Sequence, residues 1–228
     1  MSSNLITLTN PTSPAAEAYR RLRRNLMAIG REAPLRTLLV VAAGADEDKA
    51  VPVANLAVTF ARVGQQVILA DCDLRHPAQH TLFGLDNTAG VTTVLQEDLS
   101  AQSGQPQEAL PLPLQPTKVR NLRLLSSGPA VEIPSDLIAT PAMMTLISRL
   151  RDEADIVLFD APPVTLATDA AMLATRVDGV LLMVSAGRTK QQVARQAKDL
   201  LERVGARLVG VALVNVPMDA RLSKYLSP

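Results

Sequence analysis

The sequence predicts a single doubly wound α/β domain, a mostly parallel β-sheet flanked by helices. Three observations predict it. With 228 residues, 47% of them apolar, the chain can bury one ample core. Short runs rich in Val, Leu and Ile recur along it and are continuous rather than alternating, as strands buried on both faces of a parallel sheet read. Helical patterns interleave with those runs.

Taken in order, residues 1–12 hold no sustained period and are expected to be flexible. The domain proper is expected over 13–216. A helix is predicted over 15–29, then a strand over 37–43 (TLLVVAA) and a helix over 53–62. The next strand, 66–71, ends in an aspartate. Residues 99–118, LSAQSGQPQEALPLPLQPTK, carry four prolines and no period, and are expected to be an exposed, mobile loop. Strands at 122–126, 156–160, 180–185 and 208–214 follow, separated by helices at 141–152, 169–174 and 190–204. Residues 217–228 form a tail.

Composition narrows the function. A net charge of +1 gives no global field favouring nucleic acid or an anionic membrane. Three Phe, two Tyr and no Trp argue against a base-stacking platform, so no nucleic acid partner is expected. The single Cys72 excludes an internal disulfide and suits a reducing cytoplasm; between two aspartates it reads as a small buried filler. No apolar run approaches the roughly 18 residues of a membrane span, and the first residues do not read as a signal peptide. The expected location is the cytoplasm, with a partner needed to bring the chain to the membrane's inner face.

Ligands of such sheets sit beyond the carboxyl ends of the strands. Here the loop after Ala43, the pair Asp71 and Asp73, Asp160, and Asn215 all follow or end strands. Four endings on one rim predict a site. The loop itself, within AAGADEDKAVPVANLAV (42–58), stands where strand and helix would bracket a phosphate, and it supplies Lys49.

Four motifs in order carry a resemblance: SPAAEAYRRLRRNL (13–26), QVILADCDLRHP (66–77), GPAVEIPSDLI (128–138) and DIVLFDAPPV (155–164). Together they resemble the bacterial tyrosine kinases of the CpsD/CapB type, within the MinD/ParA-like P-loop ATPases, from about residue 13 to 215. The resemblance implies a cytoplasmic kinase that phosphorylates tyrosines in its own tail and serves capsular or exopolysaccharide synthesis. Its implied partner is a membrane-spanning activator or co-polymerase. It also implies that Lys49, Asp71, Asp73 and Asp160 are the catalytic positions, the three aspartates holding Mg²⁺ and Lys49, Arg75 and Asn215 contacting nucleotide. Tyr225 would be the phospho-acceptor. Glu17, Arg20 and Arg23 match a Glu-x-x-Arg-x-x-Arg pattern that implies contacts between subunits, and the spacing i, i+3, i+6 lines roughly one helical face.

The departures are as specific. Aligning Lys49 with the family lysine places Asp46 and Asp48 at the two glycine positions and Ala50 at the Mg²⁺-binding hydroxyl. Glycines let successive N–H groups turn towards a phosphate, whereas a Cβ narrows the loop. A carboxylate ~5 Å from a phosphate oxygen costs about 3 kcal/mol at an effective dielectric near 20. Two of them remove roughly four orders of magnitude in affinity. Ala50 cannot ligate a cation. Pro52 falls in the first turn of a helix, where a missing N–H is tolerated. The tail carries one tyrosine where the family usually has several.

Two readings result. The favoured one is a catalytically silent scaffold or regulator, a pseudokinase with no bound cofactor, forming a homo-oligomer through the opening helix. The alternative is an active tyrosine autokinase with a deviant phosphate loop, using ATP and Mg²⁺. An ATPase with another partner is a third, and it would need the same missing glycines.

Overall fold

A computed structural model of the chain describes residues 5–44, 49–102 and 110–216. Its centre is a seven-stranded sheet: β1 (Thr37–Ala42), β2 (Val67–Asp71), β3 (Gln115–Pro116), β4 (Leu122–Leu125), β5 (Ile156–Asp160), β6 (Gly179–Ser185) and β7 (Leu208–Val214). The order across it is β3-β4-β2-β5-β1-β6-β7, parallel throughout except for the β3–β4 pair.

Strand side chains alternate between faces, and β1 divides its apolar residues accordingly. Leu38 and Val40 enter one core, Leu39 and Val41 the other. The first core is closed by α1 (Ile6–Thr9), α2 (Pro14–Glu32) and α3 (Ala50–Ala61), the last contributing Val53, Leu56, Ala57 and Phe60. The second is closed by α5 (Val91–Gln102), α6 (Pro134–Ala139), α7 (Pro141–Glu153), α8 (Thr168–Ala174) and α9 (Gln191–Arg203). Both faces are covered, which is why the strands read as unbroken apolar runs. A short α4 (Gln79–Phe83) follows β2 and stops at Gly84, whose φ of 66° is left-handed.

Three expectations are corrected. The opening dozen is not loose where it is described: Leu5 is buried, and the Thr7 backbone N–H and Oγ1 donate to Asn55 Oδ1 on α3 at 2.9 and 2.7 Å. Residues 99–118 are not one mobile loop. The first four continue α5, and Gln115–Pro116 add an antiparallel strand to β4, with Gln115 Nε2 donating to Asp86 O and Ser126 Oγ. Residues 103–109 lie outside the described set. Finally, α4, α5 and α6 appear where no helix was predicted; α5 opens on Val91-Thr-Thr-Val94, a β-branched run that suppresses the helical signal.

The turn after β4 rests against the start of α5. A Cβ at Gly90 would meet Ser126 O at 2.0 Å, so only glycine fits there. Asn87 Oδ1 accepts from the Gly128 N–H at 2.9 Å and from Ser127 Oγ at 3.0 Å.

Candidate functional site

The parallel register brings three strand ends level. Asp71 of β2 stands opposite Asp160 of β5, and Asp160 opposite Val40 of β1. Beyond that rim Lys49 precedes the first turn of α3. Its side chain is 7% exposed, and its Nζ lies 2.8 Å from Asp73 Oδ2 and 2.9 Å from Asp160 Oδ1. One buried cation therefore serves two carboxylates, themselves 7% and 1% exposed.

The aspartates also build their own loop. Asp71 Oδ2 accepts the backbone N–H groups of Ala78 and Gln79 at 3.0 and 2.9 Å, while Asp71 Oδ1 accepts from the Asp73 N–H at 3.3 Å. Asp73 Oδ1 accepts the His76 N–H at 3.0 Å. Gln79, fully buried, ties the parts together. Its Nε2 donates to Asp160 Oδ2 at 2.7 Å and to the Ala50 carbonyl at 3.0 Å, and its Oε1 has no hydrogen-bond partner.

Electrostatics follow from that burial. Desolvation, reinforced by the charge of Asp160, pushes the Asp71 carboxyl up to about 7, against the pull of the two N–H donors and Lys49. Burial raises Asp160 as well, even though Lys49 pulls the other way. Burial by itself works against the Lys49 charge, but Asp160 and Asp73 outweigh it and raise the ammonium. The Cys72 thiol is pushed well up by burial and then by the surrounding carboxylates, so it is the inert filler the sequence suggests.

The remaining expected residues stand apart. Arg75 directs its Nε and Nη2 to Asp169 of α8, at 3.1 and 3.2 Å, Asp169 being fully buried. Asn215 takes a left-handed φ of 56° and donates through Nδ2 to Ser185 Oγ at 2.9 Å, tying the ends of β6 and β7. On α2, Glu17 pairs with Arg20 at 2.6 Å, whereas Arg23 turns inward and donates to the Thr59 carbonyl of α3 at 2.7 Å. The three are thus not equally available to a second subunit. Glu17 and Asn215, expected in separate roles, line one cleft of about 580 Å³ together with Val51 and Met183. Asp46, Asp48 and Tyr225 lie outside the described residues.

Comparisons with known proteins agree with this architecture. The chain is 33% identical over 225 residues to the tyrosine-protein kinase YwqD of Bacillus subtilis, covering 99% of this chain and 91% of that one. It is 30% identical over 223 residues to the putative tyrosine-protein kinase CapB of Staphylococcus aureus, 98% and 94% being covered. Among solved structures, the chimerical protein CapA2B2 superposes with a TM-score of 0.84 at 30% identity, over 96% of this chain and 92% of that chain. The chain belongs to the bacterial tyrosine-protein kinase family. No protein-family model matches it. The fold is that of the P-loop NTPase-like members of this family.

Set against the family's chemistry, the described residues fit bound ATP–Mg²⁺ poorly. Lys49 already sits on Asp73 and Asp160, and Ala50 offers no hydroxyl. Among the described residues no three carboxylate, histidine or cysteine side chains converge as a cation site. Gln79 was missed by sequence reasoning. The signal for it was weak: an amide eight residues after Asp71, at the start of a helix with no apolar period.

Among the described residues no helix is long and apolar enough to cross a membrane.

Proposed function

We propose that this chain is a catalytically silent tyrosine-kinase-like protein, a scaffold or regulator in capsular or exopolysaccharide synthesis, acting on or through a membrane-spanning partner in the cytoplasm. One observation carries the reading: Lys49 is buried and held between Asp73 and Asp160 at 2.8 and 2.9 Å. To meet a phosphate it must leave two carboxylates that would then be buried without a counter-ion, a cost of several kcal/mol. Asp46, Asp48 and Ala50 act in the same direction, by charge and by the missing hydroxyl. The names of the relatives supply the kinase family, and the polysaccharide role and the partner come from the family resemblance.

A second reading keeps one specific support. Asp71, Asp73 and Asp160 are all present at one rim, and Asp71 titrates near neutral pH, where an acid–base group works best. On that reading the chain is an active autokinase whose acceptor is Tyr225.

Calorimetric titration with ATP and Mg²⁺ separates the two. The scaffold reading expects no binding by the wild-type chain and micromolar binding once Asp46→Gly, Asp48→Gly and Ala50→Ser are combined. Tight binding by the wild type, followed by phosphate on Tyr225, would overturn it.

A further inference from the structure

At the end of the sheet opposite the carboxylate rim, a cleft of about 740 Å³ opens where β2 and β4 begin. Its walls are the end of α3 and the turn leading into β4. Arg62, Lys118 and Arg120 line it, all three exposed, and no acidic or aromatic residue does.

The nearby acids are already used elsewhere. Glu153 pairs with Arg123 at 2.7 Å, and Asp155 Oδ2 accepts the Gln66 N–H at 2.8 Å. Among the described residues, Arg62, Lys118 and Arg120 make no ion pair and no side-chain hydrogen bond. The turn adds donors of its own. Asn121 takes a left-handed φ of 66°, and the backbone N–H groups of Lys118, Arg120 and Asn121 bond to no described residue. The Val119 N–H goes to Thr117 Oγ1 at 3.0 Å, so it is the consecutive pair Arg120 and Asn121, the second left-handed, whose free N–H groups can form an anion-binding concavity. Three uncompensated cations on a chain of net charge +1 are a local excess, not a reflection of the whole.

We propose that this cleft is a second ligand site, binding a soluble small molecule that carries two or more negative charges on phosphate. The volume lies in the range of small-molecule sites. The chain's net charge of +1 gives no global field towards an anionic membrane, so a discrete anion held by the local excess is the expected occupant. The absence of aromatic walls means that recognition is by charge and not by a stacked base. The site is independent of Lys49, so it stands or falls separately from the silent-kinase reading.

Titration of the full chain with inorganic diphosphate, without Mg²⁺ and at low salt, tests it. The wild type should bind in the cleft, with affinity falling as salt rises. Combined Arg62→Ala, Lys118→Ala and Arg120→Ala should weaken that binding about 10- to 100-fold. Lys118→Glu, a single exposed position, should weaken it in the same direction and guards against misfolding of the triple variant. Vesicles of phosphatidylcholine with phosphatidylglycerol should not be bound. Equal diphosphate affinity in wild type and both variants would overturn the proposal, as would no binding by the wild type. Sedimentation with the anionic vesicles in the absence of diphosphate affinity would assign the face to a lipid surface and overturn it too.

Discussion

Replacing Lys49 by Met keeps most of the side-chain volume and removes the charge that Asp73 and Asp160 share. At 2.8 and 2.9 Å, each contact carries roughly 6 kcal/mol of attraction at an effective dielectric near 20. That gross figure is not the net effect, since a carboxylate deprived of its cation takes a proton instead. Burial already raises Asp160 with Lys49 present, so the substitution raises it further. Removing one partner of a buried pair costs about 3–5 kcal/mol. In a chain of this size that lowers Tm by roughly 6–20 °C.

The sign with pH follows from linkage. In the variant the folded Asp160 holds its proton to higher pH than the unfolded one. Its contribution is then complete below about pH 4 and is lost as pH rises through its folded value. Lys49 itself, raised above its ordinary value, contributes evenly between pH 5 and 9 in the wild type. The deficit of Lys49→Met should therefore be small at pH 5 and largest at pH 8. Urea or thermal unfolding of both proteins at the two pH values measures it. An equal deficit at both pH values, or a variant more stable than wild type at pH 8, would refute the shared-cation arrangement.

Three further substitutions test the surroundings. Asp71 titrates at about 7 in the fold, mainly through burial, and near 3.9 when unfolded, so its contribution is full below about pH 4 and lost as pH rises through 7. Asp71→Asn should flatten that dependence and gain about 1–3 kcal/mol over wild type at pH 8, read from urea midpoints. Gln79→Ala removes the bonds to Asp160 and the Ala50 carbonyl and leaves a cavity; it should cost about 2–4 kcal/mol, and a double-mutant cycle with Asp160→Asn should show coupling above 0.5 kcal/mol. Gly90→Ala places a Cβ 2.0 Å from a backbone oxygen and should cost more than about 3 kcal/mol, visible as a lowered Tm, whereas Gly210→Ala, whose Cβ meets nothing nearer than Leu181 Cδ1 at 4.0 Å, should cost far less.

Much of the fold was legible because its signal is local. Six of the seven strands are continuous apolar runs long enough to read, and their predicted bounds differ from those observed by about one residue. The five predicted helices all form: α3 is apolar nearly all round and buried from Pro52 to Ala61, and the others carry apolar positions at helical spacing. The elements that escaped are those stabilised from outside. The helix α5 opens on β-branched residues but buries Val91, Val94 and Leu95 against α7. The two-residue β3 exists only because β4 offers it an edge and Gln115 finds Asp86 and Ser126.

The site divides in the same way. The sequence by itself determined the family, the carboxylates at the strand ends and the missing hydroxyl at Ala50, because each is written in the identity and spacing of neighbouring residues. Only the tertiary structure decided who pairs with whom. It put Lys49 between Asp73 and Asp160, Arg75 on Asp169, Arg23 on the Thr59 carbonyl, and Gln79 at the centre. Those partners lie 24 to 111 residues apart along the chain. Charges so distant in sequence meet only when the parallel register sets β1, β2 and β5 side by side and burial removes the water that would otherwise solvate them.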